Sequence, residues 1–545
     1  MTVDLTGNDD QVIRYCKVKV AEPDIHDPAS DARRLSLALA DQYAIDGVEI
    51  GLEVLRYLQR RLRQGNWTVT VAINNRTIVA VYDEVQLVPA GLAIDVGASS
   101  IELQLNNLST GTIIAQRRII NPLIRFGADQ ISRIACGIGT ERGYGEMTAL
   151  LRSSLNGAVG GLVDEAGLTT EALLDAALVA SPVTHHVLLG LDPSELGSAP
   201  YTGAVSEPID IPARELGLRM APGASVHILP LLGGHVGSDC LAAAYGAGLG
   251  VDDTMTLLID IGTTTEIVLG TRGHLLAAAP PAGSALEGVQ IEAGRHAMLG
   301  AIDAIRIDTV NFEPRFHVIG SPLWSDEPGF AASIEHFDLG GFCSSGLIDA
   351  LAELRWSGLI GRDGAFDPVK ASGTPRIREE YRSSTYLVQE SGPRIAMTQH
   401  DIRALQMAKA AVQAAIRILQ KRQGGRVIER VVLTGGPGAM VDPVRAAVIG
   451  LFPDCRIDHV EFLEHAALAG ARAALLSRSA RLTMAQMARE TKVVETVLDP
   501  DFQLEQIGAM GLPHSRLGYP LLGEQIDLVD NNDAARVRRG ARRDH

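Results

Sequence analysis

The chain contains one short sequence pattern twice, and this repeat constrains its fold more than any other feature. Residues 92–100 have the sequence LAIDVGASS, and residues 257–265 have the sequence LLIDIGTTT. In each copy an apolar run, which predicts a buried strand, precedes Asp, an apolar residue, Gly and small hydroxyl-bearing residues. Such a turn gathers backbone N–H groups, hydroxyls and one carboxylate, which suits a phosphate chain that carries Mg²⁺. Two copies predict a duplicated fold with a nucleotide between its halves.

Each copy continues into further strands, which distinguishes it from a strand–loop–helix phosphate site. The predicted phosphate loop is the turn of a β-hairpin, and the Gly-Lys-Ser/Thr signature of a Walker loop is absent. We expect Asp95 and Asp260 to hold Mg²⁺ through water; the alternative is a pair of turn-capping aspartates. The serine and threonine hydroxyls are expected to bind phosphate oxygens; the alternative is that they are ordinary hydroxyls at the edge of a strand. The expected phosphate-binding residues are Gly97, Ser99, Ser100, Gly262, Thr263, Thr264 and Thr265.

The composition argues against several classes of protein. A formal net charge of −16 argues against nucleic acid as the main ligand, because neutralising a phosphate backbone requires concentrated Lys and Arg. None of the five cysteines lies within metal-ligand spacing of another, so neither a zinc site nor an iron–sulfur loop is encoded locally. The first residues contain no apolar signal segment, and no run of about 18 apolar residues occurs. These features predict a cytoplasmic protein without a membrane span.

Periodicity and turn residues divide the 545 residues into segments. The predicted segments are an N-terminal linker and strand at 1–27, a small α+β domain at 28–88, an ATP-binding domain at 89–482 and a C-terminal extension with a loose tail at 483–545. Within the large domain we expect one lobe at about 89–250 and a second at about 251–482.

Three further segments form an ordered series with the two hairpins. A helix of small residues starts near Asp239, a Gly-rich turn follows the strand at 431–434, and a second helix of Ala and Gly starts near 466. This order resembles the acetate and sugar kinase/Hsp70/actin superfamily, whose signature segments are phosphate 1, connect 1, phosphate 2, adenosine and connect 2. The resemblance implies an α/β protein with a two-lobed, actin-like/ribonuclease-H-like ATPase fold. Its small-residue helices would cross closely and act as a hinge.

The same order implies further site residues. Gly435, Gly436 and Gly438 would let the backbone lie flat against adenosine. Glu287 would lie along the adenosine side, with a helix-surface charge as the alternative. Asp239 would orient the attacking water, with a plain helix N-cap as the alternative.

A narrower resemblance rests on longer stretches. Residues 121–134, 230–239, 260–263 and 341–349 include NP…FGADQISRI, PLLGGHVGSD, DIGT and GFCSSGLID, which are similar to stretches of the reductive activators of corrinoid proteins. The similarity extends over about 12–514. It implies an enzyme that couples ATP hydrolysis to reduction of an inactivated Co(II) corrinoid to Co(I), which restores a corrinoid protein of a methyltransferase system. Two alternatives stay open: an ATP-dependent reactivating chaperone of a cobalamin enzyme, which moves no electrons, and a small-molecule kinase on the same fold.

The chain departs from the family pattern in ways that affect these expectations. Members usually begin with a plant-type [2Fe-2S] domain that has Cys-x₄-Cys-x₂-Cys, and this chain has no such run. We therefore expect a separate ferredoxin-like electron donor; the alternative is a cluster domain that belongs to the protein but is missing from this sequence. The first hairpin has Ala98 where the family has threonine, which predicts a weaker first half.

Three other residues have open or structural interpretations. His185 and His186 either approach cobalt or a partner, or are satisfied structural histidines, which is the interpretation that we favour. Cys343 is interpreted as a packing residue rather than a redox group. A homodimer is kept open as the oligomeric state.

Overall fold

The computed structural model describes residues 10–83, 88–139, 143–380, 383–390, 392–435, 440–526 and 528. The chain divides into two compact units. Unit 1 comprises Met1–Gly246 and Ala467–Arg489, and unit 2 comprises Ala247–Ala466 and Glu490–His545. The bounds of the four segments expected from the sequence stay predictions.

Unit 1 begins with a four-stranded sheet and two helices. In chain order the elements are β1 (Ile13–Lys19), α1 (Asp31–Tyr43), β2 (Glu49–Ile50), α2 (Leu52–Gln64), β3 (Thr68–Asn74) and β4 (Thr77–Tyr82). The sheet has the order β1-β3-β4-β2, and β1 pairs antiparallel with β3 along its whole length. Val54, Leu58 and Leu62 of α2 recur every four residues, so they form one buried stripe in the small core of this sheet.

A six-stranded sheet forms the centre of unit 1. The elements that build and cover it are β5 (Ala90–Val96), β6 (Ser100–Asn107), β7 (Ile113–Ile120), α3 (Gln130–Ile138), α4 (Gly143–Glu165), β8 (Leu173–Ala180), α5 (Pro182–Leu189), β9 (Ile209–Pro212), β10 (Ser225–Ile228) and α6 (Ser238–Gly246). The order is β7-β6-β5-β8-β10-β9. β5, β6 and β7 form an antiparallel meander, whereas β5, β8 and β10 run parallel. The carboxyl ends of these three parallel strands therefore lie at one edge of the sheet.

The remaining elements belong mainly to unit 2, except that α12 and α13 lie almost wholly in unit 1. They are β11 (Thr256–Ile261), β12 (Glu266–Thr271), β13 (His274–Ala278), β14 (Ile302–Ile307), β15 (Pro314–Val318), α7 (Phe330–Ser333), α8 (Ser344–Trp356), α9 (Pro368–Ser372), β16 (Ile377–Glu380), β17 (Ser383–Gln389), β18 (Ile395–Thr398), α10 (Gln399–Arg422), β19 (Arg430–Gly435), α11 (Pro443–Ile449), β20 (Val460–Phe462), α12 (Ala466–Leu476), α13 (Arg478–Glu490), β21 (Lys492–Val493), α14 (Phe502–Ala509) and α15 (Pro520–Gly523).

The central sheet of unit 2 repeats the arrangement of unit 1. Its order is β20-β19-β11-β12-β13-β21. β11, β12 and β13 form an antiparallel meander, and β19 and β20 extend the sheet in parallel on the other side of β11. In both units the meander starts with the strand that carries the repeated sequence pattern. The duplication predicted from the sequence is therefore a duplication of sheet topology.

The helix α10 has the end residues and the buried positions of a core helix of a globular protein. Thr398 and Asp401 form a capping box at its start, and Lys421 and Arg422 lie in its last turn. Two charged residues, Asp401 and Lys409, are buried among its apolar residues. No helix in the described residues is long and apolar enough to cross a membrane.

Candidate functional site

In both hairpins, the aspartate of the repeated pattern lies opposite a glutamate. Asp95 of β5 pairs with Glu102 of β6, and Asp260 of β11 pairs with Glu266 of β12. Directly opposed residues of an antiparallel pair project from the same face of the sheet, so each hairpin presents two carboxyl groups side by side. Both glutamates are buried. Carboxylate oxygens bind Mg²⁺ directly or accept hydrogen bonds from its waters.

Glu102 and Glu266 are residues that the sequence analysis missed. Each is the first acidic residue after the turn, but the sequence alone does not fix the register of the hairpin. Only the pairing shows that each glutamate stands beside the aspartate rather than on the opposite face.

The turn of the second hairpin contains two threonines suited to a phosphate chain. Thr263 and Thr265 are 5% and 0% exposed, respectively. Within the described part of the chain, neither buried hydroxyl oxygen has a hydrogen-bond partner. Leaving a buried hydroxyl unsatisfied is unfavourable by about 1–3 kcal/mol. Phosphate oxygens would accept from both hydroxyls, so this turn fits the group that the sequence predicts there.

Asp239 lies at the same edge of the unit 1 sheet as the first hairpin. Ser238, the first residue of α6, accepts through Oγ from the Ala180 N–H at 2.9 Å and donates to the Ala180 carbonyl at 3.0 Å. Ala180 is the last residue of β8 and pairs with Val96 of β5. The start of α6 is thus fixed at the carboxyl end of β8, which is the neighbour of β5, the strand that carries Asp95.

The environment of Asp239 favours its neutral form. Asp239 lies in the first turn of α6, and its Oδ1 accepts from the Cys240 N–H at 3.0 Å. Burial raises the pKa of Asp239 to about 6, against an ordinary value of 3.8. A carboxyl group with a pKa near neutrality, at the edge that carries Asp95, is a candidate for handling a proton or orienting a water.

The residues expected at the adenosine are placed only in part. Gly435 ends β19 beside Ile261 of β11, and a Cβ there would lie 2.4 Å from the Ile261 carbonyl oxygen, so no larger residue fits. Gly436 and Gly438 lie outside the described residues. Glu287 belongs to a separate segment, the 3-10 turn Ala285–Glu287, and is partly exposed.

The histidine pair and Cys343 are buried. His186 Nδ1 lies 2.8 Å from the Pro182 carbonyl oxygen, and its Nε2 accepts from the Ala204 N–H at 2.9 Å. His185 is 0% exposed, and burial lowers its pKa to about 3, so the ring is neutral. The expectation of two satisfied histidines is correct for His186 and wrong for His185, whose ring nitrogens have no partner among the described residues. Burial also raises the pKa of the Cys343 thiol, as expected for a packing residue.

Family models match almost the whole chain. The RACo linker region matches residues 6–86, the RACo middle region matches 90–252, and the C-terminal domain of RACo, the ASKHA domain, matches 254–522. ASKHA denotes the acetate and sugar kinase/Hsp70/actin superfamily, so the α/β, actin-like fold predicted from the order of the motifs is confirmed.

Individual relatives agree with this assignment. The corrinoid activation enzyme RamQ of Eubacterium limosum is 30% identical over 425 residues, which are 76% of this chain and 68% of RamQ. The [Co(II) methylated amine-specific corrinoid protein] reductase of Methanosarcina barkeri is 25% identical over 49% of this chain and 48% of its own length. A solved structure of a reductive activator for corrinoid, iron-sulfur protein superposes with a TM-score of 0.82 and 29% identity, covering 94% of this chain and 81% of that chain. The chain therefore belongs to the RACo family, the reductive activators of corrinoid proteins.

Proposed function

We propose that this protein is an ATP hydrolase that drives the reduction of Co(II) to Co(I) in a corrinoid protein of a methyltransferase system. The observation that carries the proposal is the pair of Asp-x-Gly hairpins, with the buried, unpartnered hydroxyls of Thr263 and Thr265, in a member of a corrinoid-activating family. The electron comes from a separate ferredoxin-like donor, and the reaction takes place in the cytoplasm.

The two hairpins supply the groups that bind Mg-ATP in this proposal. Asp95 and Asp260, each beside its buried glutamate, hold the waters of Mg²⁺. The hydroxyls of Ser99, Ser100 and Thr263–Thr265 and the N–H groups around Gly97 and Gly262 bind phosphate oxygens. When bound, Mg²⁺ would neutralise charge on the phosphate chain.

Asp239 is proposed to orient the attacking water in its carboxylate form. At neutral pH a group with a pKa of about 6 is mostly ionised yet still able to accept a proton. Gly435, Gly436 and Gly438 would lie against adenosine, and Glu287 along the same side.

ATP hydrolysis is needed because reduction of Co(II) to Co(I) occurs at very low potential. Each 0.1 V of uphill one-electron transfer requires about 2.3 kcal/mol. The electron leaves the reduced donor and enters cobalt, while ATP and water become ADP and phosphate. ATP-dependent binding would stabilise a corrinoid conformation that has lost an axial ligand, which raises the cobalt potential.

The spacing of the cysteines in this sequence supports the proposal of a separate donor. The sequence has five widely separated cysteines, Cys16, Cys136, Cys240, Cys343 and Cys455. No two of them have the spacing of an iron–sulfur ligand loop. The chain thus offers no such loop of its own for relaying an electron to cobalt.

An anaerobic spectroscopic assay tests this function against its rivals. A purified methyltransferase corrinoid protein in the Co(II) form is mixed with this protein and titanium(III) citrate, with and without Mg-ATP. We expect ATP to accelerate the appearance of the Co(I) spectrum, and D260N to abolish that acceleration. Release of free cobalamin without the Co(I) spectrum would instead identify a reactivating chaperone. Transfer of labelled phosphate from ATP to a small acceptor would identify a kinase.

A further inference from the structure

The turn of the first hairpin is held by two residues to which the proposed function assigns no role. The Gly97 carbonyl accepts from Asn121 Nδ2 at 2.7 Å, and the Ser99 carbonyl accepts from the Asn121 backbone N–H at 2.9 Å. The Ala98 carbonyl accepts from Arg133 Nη2 at 2.5 Å. Three consecutive carbonyls of the turn are thus bound by two residues.

These contacts fix the direction of the neighbouring N–H groups. In a planar trans peptide the N–H of one residue points opposite to the carbonyl of the residue before it. The Ala98 N–H therefore points away from the Asn121 side chain, and the Ser99 N–H points away from the Arg133 guanidinium. Successive N–H groups turned out of a loop in this way form the concave backbone site that anions occupy.

Arg133 and Asn121 are themselves held rigidly. Both are 0% exposed. Asn121 caps the 3-10 turn Pro122–Phe126, accepting through its side-chain oxygen from the Leu123 N–H at 2.9 Å. Arg133 lies in α3, and the N-cap of this helix is Asp129. Arg133 Nε donates to the Gly127 carbonyl at 3.1 Å.

The charge of Arg133 is poorly compensated by its neighbours. Its guanidinium donates to the carbonyls of Gly127 and Ala98, and to Thr184 Oγ1 at 3.5 Å, all of which are neutral oxygens. Burial lowers the pKa of Arg133 to about 10, so the group keeps its charge at neutral pH. Asp129 offsets this effect in part, but both of its carboxylate oxygens accept from Ser132. A buried cation in neutral surroundings is unfavourable unless an anion approaches it.

We propose that Arg133 and Asn121 are positioning residues for the phosphate chain of the nucleotide. They turn the N–H groups of Ala98 and Ser99 toward the phosphates, and the Arg133 charge raises the local positive potential at a turn where Ala98 offers no hydroxyl. The inference rests on the proposed function, because it takes the first hairpin to be a phosphate loop.

Calorimetric titration with Mg-ADP and with adenosine tests this proposal on the intact protein. The variants are R133Q, which removes the charge, and R133K, which keeps it. The matched control is R152Q, because Arg152 of α4 also fastens one backbone carbonyl in unit 1, donating to Leu188 through Nε at 2.9 Å and Nη2 at 2.8 Å. We expect R133Q to bind Mg-ADP at least tenfold more weakly while its adenosine affinity stays within about twofold of the wild type. R133K and R152Q should bind Mg-ADP with nearly wild-type affinity.

Several outcomes would overturn the proposal. Wild-type Mg-ADP affinity in R133Q would remove Arg133 from phosphate binding, and equal losses for ADP and adenosine would indicate a merely structural role. A wild-type protein that binds neither ligand would contradict the proposed function itself.

Hydrogen exchange on the wild-type protein provides a test that needs no variant. A peptide covering 96–103 should exchange more slowly when Mg-ADP is added, because phosphate oxygens would accept from the N–H groups of Ala98 and Ser99. Unchanged exchange in the presence of saturating Mg-ADP would contradict the proposed direction of these groups.

Discussion

Asp239 combines an energetically unfavourable position with a proposed role in hydrolysis. Its pKa of about 6 in the folded protein lies above the ordinary value of 3.8, because burial disfavours the carboxylate. As the pH rises from 3.8 through 6, the unfolded chain ionises first, so the folded protein loses stability. Above pH 6 the loss is complete and amounts to about 3 kcal/mol at most.

The substitution D239N should therefore separate stability from activity. Asn can still accept from the Cys240 N–H but carries no charge, so D239N should melt at a higher temperature than the wild type at pH 7.5. This difference should shrink as the pH falls from 6 toward 4, where the wild-type carboxyl is also neutral. Thermal melting at several pH values measures the effect. An unchanged melting temperature at pH 7.5 would mean that the carboxylate is not destabilising.

The same carboxyl group should control the pH dependence of hydrolysis. If the carboxylate orients the attacking water, kcat for ATP should fall about tenfold between pH 7 and pH 5, following a pKa of about 6. D239N should hydrolyse ATP at least about a hundredfold more slowly, with little change in ATP affinity. Phosphate release across this pH range measures both effects, and a D239N variant with wild-type kcat would leave Asp239 as a plain helix cap.

Thr265 should respond to substitution in the opposite way from a threonine with a bonded hydroxyl. T265V removes a buried hydroxyl that has no partner in the described residues, so the nucleotide-free protein should be as stable as the wild type or more stable by about 1 kcal/mol. Its affinity for Mg-ADP should nevertheless fall about tenfold, because one hydrogen bond to phosphate is lost.

Thr256, the first residue of β11, is the control for this experiment. Its Oγ1 donates to the Thr254 carbonyl at 3.3 Å, so T256V should lose about 1 kcal/mol of stability and keep the wild-type Mg-ADP affinity. Denaturant unfolding and calorimetric titration measure the two quantities. If T265V lost as much unfolding free energy as T256V, the Thr265 hydroxyl would already be satisfied in the nucleotide-free protein, which would contradict its proposed role.

At the residue scale, sequence reasoning identified residues that a local pattern marks and missed residues that only pairing brings together. Asp95 and Asp260 stand in Asp-x-Gly, which has a direct physical interpretation. Glu102 and Glu266 depend on hairpin register. The contacts of Arg133 depend on the packing of α3 against the turn, which no local pattern encodes.

At the scale of elements, α6 and α12 approach each other closely because one residue lacks a side chain. A Cβ on Gly470 of α12 would lie 2.3 Å from the Ala242 carbonyl oxygen of α6. The close crossing of small-residue helices predicted from the sequence is therefore present. Their action as a hinge stays a prediction.

The substitution G470A should destabilise the protein by about 2 kcal/mol or more, because the added methyl group meets backbone that cannot move without shifting a helix. The control is G157A in α4, where a Cβ would meet no atom within 4 Å. That change should stabilise the protein by about 0.5–1 kcal/mol, since alanine is the better helix former. Denaturant unfolding measures both. Equal effects of the two substitutions would mean that the helices do not touch at Gly470.

The order of strands was predictable to the extent that each connection is local. The two meanders follow from successive apolar runs joined by short turns. The pairing of β1 with β3 was not predicted, because α1, β2 and α2 separate the two strands in the sequence. The sequence predicts a strand in the segment 1–27 but gives no partner for it; in the structure β1 lies at the edge of the first sheet.

At the scale of the whole molecule, two units whose central sheets share the topology of five strands each carry one Asp-x-Gly hairpin. The two copies differ in the residues proposed to bind phosphate. The second copy has three threonines, whereas the first has Ala98, Ser99 and Ser100. The family assignment rests on the length of the match, which could be anticipated from long motifs such as residues 121–134.

In the proposed function, ATP hydrolysis and cobalt reduction are coupled. The most direct test follows Co(I) absorbance and phosphate release in one anaerobic sample that contains this protein, a Co(II) corrinoid protein and a reductant. We predict that both signals require ATP, rise in a constant ratio over a range of corrinoid protein concentrations, and disappear together in D260N. Two results would contradict this coupling. One is Co(I) formation at the same rate without ATP or with a non-hydrolysable analogue, and the other is phosphate release that does not depend on the corrinoid protein.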